Sequence, residues 1–219
     1  MRFSINGGHP RERLLAELRR EGVHDPRVLD ALRAVPREAF VPPEHREEAY
    51  RNVPLPIGGG QTISQPLVVG LMTQALGLGG WERVLEVGTG SGYQAAVLCR
   101  LAAYVVSVER LPELAARAQG ALARLGCQNI EVHVRNGSLG WLAGAPYDAI
   151  IVTAGAPEVP APLVQQLTDG GRLVIPVGSR THQDLLRVTR AGADTRTENL
   201  GPVRFVPLIG EQGWGDEEG

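Results

Sequence analysis

Three glycines at alternate positions, in Gly88-Thr89-Gly90-Ser91-Gly92, constrain the possible folds of this chain more than any other feature. The segment before them, 83–87, has the apolar character of a strand, and a helical pattern begins at Tyr93. Glycine accepts backbone conformations that other residues avoid, and it lets the main chain approach a ligand closely. The pattern predicts a strand, loop and helix unit with a ligand site at the carboxyl end of the strand.

Strand-like and helical segments alternate along most of the chain, which favours a parallel sheet covered by helices on both faces. The predicted strands are 83–87, 104–109, 130–134, 148–152 and 171–177. The predicted helices between them are 93–101, 111–125 and 161–167. Two more strands are predicted at 185–190 and 203–208 without a helix between them, so the sheet is expected to end with antiparallel strands. The predicted fold class is therefore a doubly wound α/β sheet.

The chain of 219 residues suits one domain with an N-terminal addition. Residues 10 to about 50 have helical patterns, including a helix capped by Asp25 with Pro26 in its first position. The segment Pro54 to Gly60 is predicted to be a loop, because its prolines lack N–H donors and its glycines lack rigidity. The predicted parts are a helical addition and loop at 1–60, an α/β core at 61–210, and a frayed tail at 211–219.

Composition excludes several classes of partner. With 22 basic and 24 acidic residues the net charge is −2, so bulk charge does not attract the chain to nucleic acid or to an anionic membrane. Cys99 and Cys127 match no metal-ligand spacing and are typical of a reducing compartment. There is no signal-peptide core at the start and no apolar run of about 20 residues. We expect a cytoplasmic monomer without a metal, a nucleic-acid partner or a membrane partner.

The glycine spacing also separates two nucleoside cofactors. A dinucleotide fingerprint would place its third glycine where this chain has Tyr93, so the loop suits a pyrophosphate poorly. Glu86 would repel a pyrophosphate but would tolerate the cationic amine and sulfonium of S-adenosylmethionine. Glu109 ends the next predicted strand about 20 residues after Gly88, where an acid binds the ribose diol of either cofactor. We interpret the loop as a site for S-adenosylmethionine, with an ordinary αβ turn as the alternative.

Longer segments resemble the protein-L-isoaspartate O-methyltransferase family over roughly residues 10 to 210. The segments that carry the resemblance are Val35 to Pro42, Ala49-Tyr50, Pro54 to Gly58, Gln61 to Pro66, Val84 to Leu98, Gly170 to Gly178 and Val203 to Leu208. The block around the glycine loop is shared by many methyltransferases, whereas the segment 54–66 is specific to this family. The resemblance implies a Rossmann-like methyltransferase sheet with an N-terminal helical addition.

The resemblance also implies a reaction. It is methyl transfer from S-adenosylmethionine to the free α-carboxylate of an L-isoaspartyl residue in age-damaged proteins and peptides. The methyl ester then collapses to a succinimide, which reopens partly to normal aspartate. A carboxylate with a pKa of about 3.9 is ionised at neutral pH, so no general base is needed. We therefore assign no catalytic role to the five histidines, which lie in unrelated contexts.

Site residues follow from the resemblance and from their positions after predicted strands. Ser64 is the predicted catalytic residue that orients the carboxylate, although its position before Pro66 fits a helix N-cap as well. The predicted cofactor contacts are Glu86, Gly88, Thr89, Gly90, Gly92, Glu109, Arg110, Asn136 and Gly137. The predicted substrate contacts are Thr62, Ile63, Gln65, Thr153, Ala154 and Arg204. A tight turn equally fits Thr153 and Ala154, and an exposed strand position equally fits Arg204.

Two positions depart from the family pattern. Asn136 stands where the family usually has an Asp beside the adenine, and Asn52 stands where it tends to have another Asp. Both changes put the affinity for the cofactor in question more than the reaction class. Asn136 precedes Gly137, a pair prone to deamidation unless the folded loop holds it rigid. The alternatives are a small-molecule methyltransferase, a nicotinamide-dependent oxidoreductase, and a protein that binds S-adenosylmethionine without turnover.

Overall fold

A computed structural model describes residues 9–215 of the chain. The helices are α1 (Pro10–Arg20), α2 (Pro26–Ala34), α3 (Pro66–Leu76), α4 (Tyr93–Cys99), α5 (Pro112–Arg124) and α6 (Ala161–Gln165). The strands are β1 (Leu55–Gly58), β2 (Gln61–Ile63), β3 (Arg83–Val87), β4 (Tyr104–Glu109), β5 (Ile130–Val134), β6 (Tyr147–Val152), β7 (Leu167–Gly178), β8 (Gln183–Ala191) and β9 (Asp194–Val203). Short 3-10 helices at Arg37–Phe40 and Pro43–Glu48 complete the N-terminal addition.

The main sheet has seven strands in the order β5-β4-β3-β6-β7-β8-β9. The pairs from β5 to β7 are parallel, and the pairs β7 with β8 and β8 with β9 are antiparallel. This confirms the predicted doubly wound sheet with an antiparallel end. The chain runs outward from β3 to β5 on one side and from β6 onward on the other. A crevice is expected outside the carboxyl ends of β3 and β6, where the strand order reverses.

Apolar residues fill both faces of the sheet. On one face, helices α1 to α4 share a core that includes Leu18, Leu32, Leu76 and Leu98. On the other face, a second core includes Leu85 of β3. Strands β6 and β7 add apolar side chains to this core that have no exposed surface. Because β3 and β6 are covered on both sides, most of their residues are apolar and buried, as expected for central parallel strands.

The segment 54–60 is not a loop, so this prediction was wrong. Strands β1 and β2 form an antiparallel hairpin in which Leu55 pairs with Ile63. Burial alternates along β1, with Leu55 and Ile57 inside and Pro56 and Gly58 outside. The turn consists of three glycines, 58–60, with φ of 88°, 61° and 68°. Pro56 occupies an outward-facing position of β1, and the three glycines form the turn. These residues concealed the alternation of buried and exposed positions.

Helix α3 is capped by a side chain from a distant part of the chain, which corrects the prediction that Ser64 is its N-cap. The N-cap residue is Gln65, and its own side chain makes no capping hydrogen bond. The amide oxygen of Asn52 accepts a hydrogen bond from the backbone N–H of Leu67 at 3.0 Å. The amide nitrogen of Asn52 donates to Glu17 Oε1 of α1, also at 3.0 Å. Asn52 therefore has a structural role that needs both an acceptor and a donor.

We expect Asn52→Ala to lower the free energy of unfolding by about 1–2 kcal/mol, because it removes a cap and one link to α1. Asn52→Asp keeps the cap but places a carboxylate against Glu17, so it should also destabilise the protein. Adding Glu17→Gln to Asn52→Asp restores a donor and should recover the loss. Urea unfolding of the three variants measures these effects. Equal stability of Asn52→Ala and the unmodified protein would refute the role of Asn52.

The C-terminal part differs from prediction in two ways. The last strand is β9 (Asp194–Val203), which ends where the strand 203–208 was predicted to begin. Strand β9 is largely exposed and polar, so it lacks the apolar pattern used to find strands. Trp214 donates through its indole N–H to the carbonyl of Gly155 at 3.1 Å and through its backbone N–H to Leu208 at 2.7 Å. The predicted frayed tail is therefore anchored over 211–215, and residues 216–219 lie outside the described residues.

Candidate active site

The loop between β3 and α4 has the conformation that its glycines require. Gly88, Gly90 and Gly92 have φ of 96°, 53° and 88°, in the left-handed region that favours glycine. A Cβ at Gly88 would lie 2.4 Å from Thr153 Oγ1, which itself donates to the Gly88 carbonyl at 2.6 Å. The loop is therefore held against the end of β6, at the predicted crevice of the sheet.

Glu109 fixes the same loop from the end of β4. Its two carboxylate oxygens accept hydrogen bonds from the backbone N–H groups of Gly90, at 2.8 Å, and Leu111, at 2.9 Å. The side chain is 6% exposed and lines the cavity above the loop. Each oxygen of a carboxylate can accept a second hydrogen bond, so Glu109 can still accept hydroxyl donors from a ligand.

A cavity, here called the loop cavity, lies outside the carboxyl ends of β3, β4 and β6. It brings together six of the predicted cofactor contacts: Gly88, Thr89, Gly90, Glu109, Arg110 and Gly137. It also contains five of the residues predicted for catalysis or substrate binding: Thr62, Ile63, Ser64, Thr153 and Ala154. Elements that are distant in sequence therefore place both predicted sets around one space.

Three predicted cofactor contacts are not in the loop cavity. Gly92 lies behind the loop, where a Cβ would come within 3.1 Å of the Ala118 Cβ. Asn136 and Glu86 are the other two, and each has a different structural role. All three predictions came from positions in sequence motifs, and a motif does not give the direction of a side chain.

Glu86 lies beneath the loop with none of its surface exposed. The Ser107 hydroxyl donates to Glu86 Oε2, and Ser107 Oγ is 2.5 Å from the Thr89 hydroxyl oxygen. Burial raises the pKa of Glu86 to about 8. The nearby charge of Glu109 also raises this pKa, whereas the hydrogen bond from Ser107 lowers it. Glu86 therefore contacts the ligand loop through Ser107 and Thr89 and does not reach the cavity.

Asn136 is exposed, and its Oδ1 accepts a hydrogen bond from Ser138 N at 3.0 Å. Its backbone ψ of 112° turns the Gly137 nitrogen away from the side-chain carbon that it would attack during deamidation. This geometry favours the rigid alternative over ageing at Asn136. Gly137 itself lines the cavity and packs so closely that a Cβ would lie 2.5 Å from Val87 Cγ1.

A second cavity, here called the side groove, opens beside the loop cavity. It contains the other two predicted substrate contacts, Gln65 and Arg204, together with Arg180. The residues that line both spaces are Thr62, Ser64, Thr153, Val206 and Pro207. The two cavities therefore meet at these five positions, where a group in one can reach a group in the other.

Among residues 9–215, Ser64 brings the more enclosed of two hydroxyls without a hydrogen bond at this junction, since the other, that of Thr62, is exposed. Ser64 is half-buried, and its Oγ makes no hydrogen bond to any residue in the part of the chain described, 9–215. The Thr153 hydroxyl, in contrast, already donates to the carbonyls of Gly88 and Val87, at 2.6 and 3.1 Å. A half-buried hydroxyl without a partner can bind a polar group of a ligand with little competition.

Sequence reasoning missed two residues of the junction, Val206 and Pro207, and one of the two arginines of the side groove, Arg180. Val206 and Pro207 were expected inside a strand, and the contribution of Arg180 depends on the path of the turn between β7 and β8. No local pattern marks these positions. Within residues 9–215, no group of three or more His, Cys, Asp or Glu side chains can hold a metal ion. In the same residues, no helix has the length and apolar composition needed to cross a bilayer.

Several known proteins with similar sequences share one description. The family model for "Protein-L-isoaspartate(D-aspartate) O-methyltransferase (PCMT)" matches residues 9–213. A protein-L-isoaspartate O-methyltransferase 2 of Pelobacter propionicus is 58% identical over 212 residues, which are 95% of this chain and 94% of that protein. A protein-L-isoaspartate O-methyltransferase of Dictyoglomus thermophilum is 51% identical over 208 residues, again 95% of this chain and 94% of that protein.

Solved structures agree with the sequence relatives. One structure of a protein-L-isoaspartate O-methyltransferase has a TM-score of 0.83 and 32% identity, covering 93% of this chain and 67% of its own. A Plasmodium falciparum structure, described as a protein-L-isoaspartate O-methyltransferase in complex with S-adenosyl-L-homocysteine, has a TM-score of 0.80 and 26% identity. It covers 92% of this chain and 99% of its own.

Proposed function

Because this chain belongs to the protein-L-isoaspartate O-methyltransferase family, we propose that its loop cavity and side groove perform the family reaction at their junction. The protein transfers a methyl group from S-adenosylmethionine to the free α-carboxylate of L-isoaspartyl residues in damaged proteins, which begins their repair. The observation that carries the assignment of the site is that one set of residues, with Ser64 among them, lines both cavities.

The loop cavity fits S-adenosylmethionine, which supplies an electrophilic methyl group on a sulfonium. Gly88 and Gly90 line the cavity in backbone conformations that favour glycine, and Glu109 has carboxylate lone pairs for ribose hydroxyls. Thr89, Arg110 and Gly137 complete the set that we propose for the cofactor. Glu86, Gly92 and Asn136 do not line the cavity, so they are not part of this set.

We propose that the isoaspartyl residue enters through the side groove, with Gln65 and Arg204 beside it and Thr62, Ile63, Thr153 and Ala154 near the point of transfer. Ser64 donates a hydrogen bond to the reacting carboxylate and orients one oxygen toward the loop cavity. The carboxylate is already ionised at neutral pH, so the protein contributes alignment and exclusion of water rather than a base. Alignment of this kind is worth about 7–11 kcal/mol of a reaction barrier.

A small-molecule methyltransferase is the competing function, and one comparison separates the two. Initial rates of methyl transfer are measured with an isoaspartyl hexapeptide and with a free β-aspartyl dipeptide at equal concentration. The side groove extends well past Ser64, to Leu71 and Pro202, so the longer peptide should have a kcat/KM about tenfold or more above that of the dipeptide. Equal values would favour the small-molecule function.

We further propose that the protein acts in the cytoplasm as a monomer on damaged proteins and peptides. The chain has only two cysteines, and this low content supports a reducing compartment. The residues that we propose for the cofactor and for the reacting carboxylate form one site within the chain, so the proposed reaction requires no residue from a second copy. The net charge of −2 supports a role without nucleic acid or an anionic membrane as partner.

A further inference from the structure

The side groove has a charge that the proposed reaction does not explain. Its two charged lining residues are Arg180 and Arg204, and within residues 9–215 no acidic side chain lines it. The whole chain has a net charge of −2, so this local excess of positive charge is opposite to the average. A groove with one sign of charge favours ligand groups of the opposite sign and repels groups of its own.

Arg204 is available for a ligand. It follows the end of β9 and is exposed, and its guanidinium makes no hydrogen bond or ion pair with another residue of the described chain. The loop cavity does not include it, whereas Ser64 lines both spaces. Arg204 therefore lies away from the point of methyl transfer. At that position it would contact a peptide residue that flanks the isoaspartyl residue.

Arg180 reaches the same groove from a different element, the turn between β7 and β8. Its guanidinium carbon lies 5.0 Å from the centre of the Trp214 ring. The indole of Trp214 is in turn fixed by its hydrogen bond to the Gly155 carbonyl. The second arginine of the groove is therefore supported by an anchored aromatic ring.

We propose that the side groove selects isoaspartyl peptides that carry an acidic side chain beside the damaged residue, with Arg204 as the main specificity-determining residue. The inference rests on the proposed function. A flanking Glu or Asp would pair with the guanidinium, and Arg can bind a carboxylate with two parallel hydrogen bonds. A flanking Lys or Arg would meet like charge. Because Arg204 is exposed, we expect a moderate and salt-sensitive preference of about fivefold in KM.

The test uses three isoaspartyl peptides that differ only in the residue after isoaspartate, which is Glu, Gln or Lys. The unmodified protein should show the lowest KM for the Glu peptide and the highest for the Lys peptide, and the difference should shrink at high salt. Arg204→Gln should reduce the Glu preference, and Arg204→Glu should reverse the order in favour of the Lys peptide. Arg196→Gln is a matched control on β9, outside both cavities, and should keep the original order.

Equal KM values for the three peptides in the unmodified protein would overturn the inference, as would an unchanged order in Arg204→Glu. If Arg204→Gln slows all three peptides by the same factor, Arg204 binds the reacting carboxylate and the inference is also wrong. Failure of the proposed function has a different signature, which is the absence of methyl transfer to every peptide while the cofactor still binds.

Discussion

Ser64→Asp should reduce methyl transfer to isoaspartyl peptides by about 100-fold or more while the protein stays folded. Ser64 lies at the junction of the two cavities, where we place the substrate carboxylate. A second carboxylate at that point costs several kcal/mol by like-charge repulsion, and each 1.4 kcal/mol is about tenfold in rate or affinity. The loss should appear in kcat/KM, measured by methyl transfer to one peptide.

The fold should tolerate this change because Ser64 does not cap α3 and its Oγ has no hydrogen bond within residues 9–215. Ser64→Asn is the matched control, since Asn has the size of Asp without its charge. We expect Asn to retain much more activity than Asp, with similar melting temperatures for both variants. If the two variants are equally active, Ser64 is not beside the reacting carboxylate.

Glu86→Gln should change how stability depends on pH. Burial raises the folded-state pKa of Glu86 to about 8, against 4.5 for an ordinary glutamate. Between these two values the folded protein keeps a proton that the unfolded chain releases, so the free energy of unfolding falls as pH rises. The fall from this group is at most about 1.4 kcal/mol per pH unit and ends above the folded pKa.

Glutamine does not ionise, so the variant should lose this slope. The free energy of unfolding of Glu86→Gln minus that of the unmodified protein should therefore be larger at pH 9 than at pH 5. Urea unfolding at pH 5, 7 and 9 measures the difference between the two proteins. The exposed Glu113 on α5 offers a control, because Glu113→Gln should leave the steep dependence in place. Parallel pH profiles for Glu86→Gln and the unmodified protein would show that Glu86 is ionised in the fold at neutral pH.

The sequence predicted the parts of the structure that depend on local patterns. The glycine loop from Gly88 to Gly92 and the buried strands around it were found because period and residue type are both local signals. The hairpin 55–63 was missed because Pro56 and the three turn glycines obscured the alternation of buried residues. Strand β9 was missed because its side chains are mostly exposed, and an exposed edge strand carries no apolar pattern.

The site was predicted less completely because contacts between distant segments decide it. The sequence pattern favoured Ser64 as the cap of α3, but Asn52 accepts the capping hydrogen bond from Leu67 N–H, 15 positions further along the chain. Glu86 was expected beside the ligand because of its place in the motif, yet it lies in a central strand that is buried on both faces, beneath Ser107 and Thr89. Arg180 has no sequence signal, since only the turn after β7 brings it to the side groove.

The most direct test of this account is a mass measurement on two peptides that differ only in the linkage of one aspartyl residue. Each is incubated with the protein and S-adenosylmethionine, and the products are followed over time. We expect the isoaspartyl peptide to gain one methyl group and then lose methanol as the succinimide forms, while the normal aspartyl peptide keeps its mass. Methylation of both peptides to the same extent, or of neither, would contradict the assignment of the junction at Ser64 as an isoaspartyl methyl-transfer site.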